Sequence, residues 1–333
     1  MIFEEPAPPA ESPWHQRLRI VVAAAILVAA VAWAAHGVDF AALRRALAGT
    51  RPGWLAAAAV VNLLAVGFQA ARWLALVRPL GREVTFGSAF KALVVGNAVS
   101  VVVPARAGEL ARLQWLARRT GLPRASILGS IGLDLLVNAV TLGVGLLLAS
   151  WILPVPAWLR RTVLVAGALV VVAVVGLRAL PPASDAPLVE PRSPVWRRLW
   201  NLLARARHGL SATGDPRALA GSLLASSASW MVEIVVVLFA FEAMGFHLPW
   251  PAAVAVLIGV NVALAMPFAP PGNAGTLEAG ATVGLVSFGV PKEQALAFAL
   301  LYHLLQIVPI GILGAVFAGR AIAPSPPADP SAG

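Results

Sequence analysis

Two stretches of this sequence carry residue types whose spacing could do chemistry. The first reads Gly96-Asn97-Ala98-Val99 and runs on to Val103-Pro104-Ala105-Arg106-Ala107-Gly108-Glu109-Leu110-Ala111-Arg112. The second reads Gly259-Val260-Asn261-Val262 and runs on to Pro267 and then Pro270-Pro271-Gly272-Asn273-Ala274-Gly275-Thr276-Leu277-Glu278. Both pass from Gly and Asn through an apolar run to Pro, Gly and Glu. Proline and glycine break a helix, and a helix that restarts beyond them offers free N–H groups and partial positive charge to an anion such as phosphate. Arg106 and Arg112 add guanidinium groups whose planar donors match phosphate geometry. The plainer account is that a Glu in the first turn is stabilised by the helix dipole, and that Arg106 and Glu109, three residues apart, pair on one helix face. The candidate substrate-binding residues here are Asn97, Arg106, Glu109, Arg112, Asn261 and Glu278.

Three further ionisable residues, Arg72, Asp134 and Glu233, fall inside long apolar stretches. A lone charge at such a depth costs about 2.5–3.5 kcal/mol on insertion scales, so each needs a partner, a water-filled cavity or, for the acids, a proton. Arg72 can pair with Asp134 or with Glu233. Otherwise Asp134 or Glu233 lines a polar groove for a headgroup or carries a coupled proton, which adds both to the candidate set. His303 is a histidine within an apolar run, read first as a satisfied hydrogen-bonder, although its type titrates near neutral pH. There is no Walker A motif, metal-ligand cluster, Ser/His/Asp triad or cysteine. No catalytic residue, metal or cofactor is therefore assigned.

The elements that position these residues follow from composition. The chain has 333 residues, 59% hydrophobic and only 12% charged, with a mean hydropathy of +0.82. A soluble domain carries about 25% charged residues, so a soluble enzyme, a disordered chain and a disulfide scaffold are excluded, leaving an integral membrane protein. The apolar stretches are long and rich in Ala, Leu and Val, which points to helices and not to the alternation of a β-barrel. Six are long enough to cross a bilayer: about 18–36, 54–77, 124–152, 157–178, 218–244 and 294–319. The first of these reads as a retained helix and not a cleaved signal, because the acidic, Pro-rich residues before it make a poor signal n-region. Two shorter runs, about 86–103 and 251–267, each end in Pro and Gly before a more polar run, about 105–119 and 273–289. These pairs read as re-entrant hairpins.

Charge orients the chain. There are 25 Lys+Arg against 15 Asp+Glu, an excess that the positive-inside rule and anionic headgroups explain without nucleic acid. The polar segment 178–217 holds seven Arg and is placed in the cytoplasm, with both termini. The first hairpin then enters from the cytoplasm and the second from outside. The expected fold is an all-α polytopic membrane protein with six full spans and two oppositely oriented re-entrant helical hairpins, an inverted repeat. Repeat 1 covers about 18–152 and repeat 2 about 157–319, joined by the basic linker 178–217. Residues 1–17 and 321–333 read as disordered tails. Within the linker, Trp196, Leu199, Trp200, Leu203 and Leu210 alternate with Arg197, Arg198, Arg205 and Arg207, as in a basic amphipathic helix lying on the inner leaflet.

Pro104 to Arg112 resembles the P-x-R-x-G-E-x-x-R signature of the lysylphosphatidylglycerol synthase transmembrane, or flippase-like, family. Pro271 to Glu278 resembles that family's second signature, P-G-x-x-G-x-x-E, and the spacing to Phe288-Gly289-Val290 is similar too. The resemblance covers roughly 18–320. It implies a polytopic domain that handles anionic or aminoacylated lipids, in a stand-alone form: the longest polar stretch, about 40 residues, is too short for the soluble aminoacyl-transfer domain of the fused members. The sequence departs from the family at Gly132-Leu133, where many members place an acidic–Arg pair before Asp134. It departs again at Tyr302-His303, where many carry an Arg.

Together these readings predict a lipid translocase of the bacterial inner membrane, with phospholipid or a lipid-linked molecule as its partner. The alternative is an enzyme or membrane subunit of lipid modification, by aminoacyl or glycosyl transfer or in a hopanoid-type pathway. A lipid-synthesis enzyme and a second copy of the chain are the expected protein partners.

Overall fold

The computed structural model describes residues 40–152 except 82 and 104–106, scattered positions between 161 and 172, residues 215–264, and residues 271–322. The expected first span, the 194–210 amphipathic run, most of the linker and of the 157–178 span, Arg106, the 1–17 tail and most of the 321–333 tail lie outside the described residues.

Every regular element among the described residues is a helix. The α-helices in chain order are α1 (Phe40–Ala48), α2 (Pro52–Val77), α3 (Phe86–Val102), α4 (Ala107–Thr120), α5 (Arg124–Ile152), α6 (Pro216–Met244), α7 (Trp250–Leu264), α8 (Thr276–Val286) and α9 (Lys292–Ile322), with short 3-10 turns at Arg78–Leu80 and Pro271–Asn273. Local chemistry sets several of their starts. Pro52 and Pro216 occupy first-turn positions, where the missing N–H is no loss. Asp215 caps α6 by accepting from the Arg217 N–H at 2.9 Å, and Thr85 and Ser88 form a reciprocal capping box on α3.

Four helical stretches are long and apolar enough to cross a membrane: Pro52–Leu80, Arg124–Gly145, Pro216–Met244 and Lys292–Phe317. They fall on the expected spans 54–77, 124–152, 218–244 and 294–319. Between them stand two helical hairpins, α3/α4 and α7/α8. The described helices thus repeat one order twice: long helix, hairpin, long helix.

Small residues let these helices close up. On α2, Ala58, Asn62, Ala65 and Arg72 are buried, and on α6, Ser222, Ser226, Ser229 and Glu233. Both sets recur at three- and four-residue spacing, and the two helices pack antiparallel along them, with the Arg51 N–H donating to Ala243 O at 2.7 Å. Each hairpin crosses at paired glycines. A Cβ on Gly96 would lie 2.7 Å from Gly108 O, and a Cβ on either Gly259 or Gly280 would overlap the backbone of the other. Outward faces are apolar: Leu304, Val308, Ile312 and Val316 form an exposed stripe along α9. That stripe suits acyl chains, whereas in water it would be a liability.

Pro309 sits inside α9. It has no N–H to offer Leu305 O, four residues back. Asn62 of α2, fully buried, fills that place by donating from Nδ2 to Leu305 O at 2.8 Å.

Candidate functional site

A cavity of about 330 Å³ lies where the two hairpins meet the long helices. Its polar lining comes from α2 (Gln69, Arg72), α3 (Asn97, Ser100), α5 (Asn138), α6 (Ser229, Glu233), α7 (Asn261), the turn before α8 (Asn273) and α9 (Tyr302, His303, Gln306). The hairpins touch at its edge: a Cβ on Gly272 would be 3.1 Å from Val101 O. That tip turns through left-handed backbone at Gly272 (φ 61), Asn273 (φ 59) and Gly275 (φ 81), which is why glycine recurs there.

On the first hairpin's side, two arginines share one acid. Arg72 Nε donates to Asp134 Oδ1 at 2.7 Å, and Arg112 Nη2 to Asp134 Oδ2 at 3.0 Å. Arg72 Nη1 also donates to Asn138 Oδ1 and, at 3.5 Å, to Ser226 Oγ. Arg112 lies over the Trp73 ring, 3.6 Å from its centroid, and Trp73 Nε1 donates to Ser130 Oγ at 3.1 Å. All three charged groups are buried. This cluster carries one net positive charge, and both Asp134 oxygens are used. Arg72 Nη2 makes no hydrogen bond to a described residue, and Arg72 lines the cavity.

On the second hairpin's side the partners are neutral or titratable. Glu278 accepts the Gly275 N–H at Oε2 (2.7 Å), capping α8, and meets His303 Nδ1 at Oε1 (2.7 Å). His303 Nε2 meets Gly272 O at 2.7 Å. Glu233 Oε2 accepts from Gln306 Nε2 at 3.1 Å and from Tyr302 OH at 3.4 Å.

Of the residues singled out from sequence, Arg72, Asn97, Glu233, Asn261 and His303 line the cavity. Asp134, Arg112 and Glu278 stand behind the lining, holding Arg72 and His303. Glu109 is half-buried on the first turn of α4, off the cavity. Arg72 pairs with Asp134, one of its two expected partners, and Glu233 takes neutral donors instead. Gln69, Asn138, Ser229, Trp230, Asn273 and Gln306 belong to the cavity and were not among the candidates. The one available signal was their position, since each but Asn273, which lies in the turn before α8, falls on the same helix face as a residue already singled out. Trp230 also brings an indole N–H with no described partner. No group of three metal-binding side chains occurs among the described residues.

Membrane-length helices that are apolar outside and polar inside, closed around a cavity by two hairpins, define a multi-pass helical membrane protein. The sequence matches the lysylphosphatidylglycerol synthase TM region over residues 20–314, and the chain belongs to that family. Membership points to a role at membrane lipids. No curated protein matches the sequence.

Proposed function

We propose that this protein moves an anionic or aminoacylated lipid, or a lipid-linked molecule, between the leaflets of a bacterial cytoplasmic membrane. One observation carries the reading: a polar cavity lies among membrane-length helices, with Arg72, Glu233 and three asparagines, Asn97, Asn138 and Asn261, in its lining. Its volume sits at the lower end of the roughly 300–1,000 Å³ of ligand pockets. That is room for a headgroup, while the apolar outer faces keep the acyl chains in the bilayer. Arg72 supplies a guanidinium already oriented by Asp134 for a phosphate oxygen. Glu233, whose protein partners are neutral, offers its carboxyl to an ammonium or hydroxyl.

The helix lengths support two re-entrant hairpins. At 1.5 Å per residue, the 17 residues of α3 and the 15 of α7 reach about 26 Å and 22 Å, short of a core of roughly 30 Å. With the expected spans at 18–36 and 157–178, the chain has six crossings, hairpins of opposite entry and cytoplasmic termini.

Purified protein in liposomes with headgroup-labelled anionic, zwitterionic and aminoacylated lipids tests this. Quenching from outside should run quickly past half the label for a preferred lipid. Asn97→Leu and Asn261→Leu, which place apolar groups in the lining, should slow it at least tenfold with an unchanged elution profile in detergent. Quenching that halts at half for every lipid overturns the reading.

A further inference from the structure

The bonds of His303 raise a question of proton count. An imidazole nitrogen can donate only if it carries hydrogen, and neutral imidazole carries one. His303 Nε2 faces Gly272 O, a carbonyl that can only accept, so Nε2 bears a hydrogen. His303 Nδ1 faces Glu278 Oε1 at 2.7 Å, so that contact needs a second hydrogen. Either Nδ1 holds it, giving imidazolium and carboxylate, or Oε1 holds it, giving neutral imidazole and carboxylic acid. Both forms contain one proton more than neutral histidine plus carboxylate.

We infer that Glu278 and His303 together form the binding site of a coupling proton that fastens the second hairpin to α9. The inference rests on the translocation reading above. Gly272 is the left-handed tip of that hairpin, and it touches Val101 at the end of the first. His303 belongs to α9, which packs against both α3 and α8. With the proton present, one side chain ties the tip (through Gly272 O) and the start of α8 (through Glu278) to α9. When the proton leaves for cavity water, neutral His303 keeps one N–H. Either Glu278 Oε1 or Gly272 O then loses its donor, and the tie is halved where the two hairpins meet. Carboxylate–histidine pairs facing a cavity inside a membrane bundle serve as proton relays for this reason.

Few other ionisable groups face the pair, Glu233 among them. Of the elements packed near it, α7 has no ionisable residue between Trp250 and Leu264. From α6 the facing group is Glu233, and from α9 Tyr302, which are bonded to Gln306 and to each other. From α2 it is Arg72, a permanent cation held by Asp134 of α5. Lys91 of α3 turns to the Phe317 ring, and Arg44 and Arg45 of α1 lie exposed.

Two independent measurements decide it. The first is spectroscopic and needs no transport. Full-length protein labelled with ¹⁵N-histidine in nanodiscs, with His303 assigned through His303→Gln, should show near neutral pH one of two signatures. Either both His303 ring nitrogens are protonated, or a protonated-carboxyl infrared band appears that Glu278→Gln abolishes. In Glu278→Gln, His303 should carry a single N–H. A wild-type His303 with one N–H and no such carboxyl band overturns the proton site. The second uses the liposome assay with a trapped pH dye and a gradient of about two pH units in either direction. Lipid movement should quicken severalfold in one direction only and carry a proton flux, while His303→Gln moves lipid more slowly and indifferently to the gradient. Lipid movement that ignores the gradient and carries no protons overturns the coupling and leaves translocation standing. If no lipid moves at all, the translocation reading falls and the coupling with it, whereas the spectra still settle whether the pair holds a proton.

Discussion

The two hairpins share a construction and differ in charge. Each pairs a short apolar helix with a second helix, crosses at glycines, and sits between two membrane-length helices. Around the first, the ionised groups are Arg72, Arg112 and Asp134, joined by two direct ion pairs. Guanidinium does not deprotonate in a protein, so the cations on this side are fixed. The second hairpin itself carries no arginine or lysine, since none occurs between Arg217 and Lys292. Its acids meet a histidine, a tyrosine and an amide. Fixed charge suits a part that must keep its shape. Titratable groups suit a part whose attachment must change. The same fold motif thus yields one anchored hairpin and one whose fastening depends on a proton.

The sharpest way to break this contrast is to delete the central acid on each side. Asp134→Ala strands two buried guanidiniums and should destabilise by about 3–5 kcal/mol, the usual result of breaking a buried ion pair. It should appear as a collapsed thermal transition or lost expression in detergent. Glu233→Ala frees only neutral donors and should lose about 1–2 kcal/mol. Equal losses would end the distinction.

A smaller effect tests what the hairpins have in common. Gly108→Ala and Gly280→Ala both push a Cβ onto the opposing backbone and should each lower stability by about 1–3 kcal/mol, as overpacking does. Gly132→Ala, with nothing within 4 Å of the new carbon, should be neutral or slightly stabilising.

Below that lies the pH dependence. The bond made by the shared proton is present while the pair is protonated and is lost as pH rises through its titration. The melting temperature should therefore fall as pH rises through that titration, by the equivalent of one hydrogen bond, about 1 kcal/mol. His303→Gln should flatten that slope, whereas Arg112→Lys, on the other side, should shift the whole curve without changing it. The smallest effect belongs to Tyr302→Phe. Its 3.4 Å bond to Glu233 is long and Gln306 still donates to the same oxygen, so about 0.5 kcal/mol is expected from the same melts.

Much of the scaffold was legible because it rests on length and hydropathy. The four long helices and both hairpins fall within a few residues of their expected bounds. Charge burial narrowed the partners of Arg72 to two acids, and Asp134 is the one it holds. Glu278 was read as either a helix cap or a site residue, and it caps Gly275 with one oxygen and meets His303 with the other. The cavity was less legible. Gln69, Asn138, Ser229 and Gln306 are single polar residues on four different helices, and no spacing in the chain shows that they converge. The hairpin crossings were hidden similarly. Gly96 and Gly108 lie on separate helices, so their pairing is a fact of three-dimensional approach.

The bond from Asn62 to Leu305 has a mechanical consequence. Proline removes one rung from the ladder of α9, and the replacement comes from a different helix, beyond the chain separation of the two halves. The span from His303 to Pro309 is therefore pinned at a point that belongs to α2, while the length beyond Pro309 rests on α3, with Phe317 against Phe90 and Ile310 beside Val94. The far end of the helix thus meets the Gly272 tip by two routes, along α9 through this pivot and through α3, whose Val101 touches Gly272. Asn62→Leu should slacken the joint, leaving headgroup contacts intact while blurring the link between the two ends of the last helix.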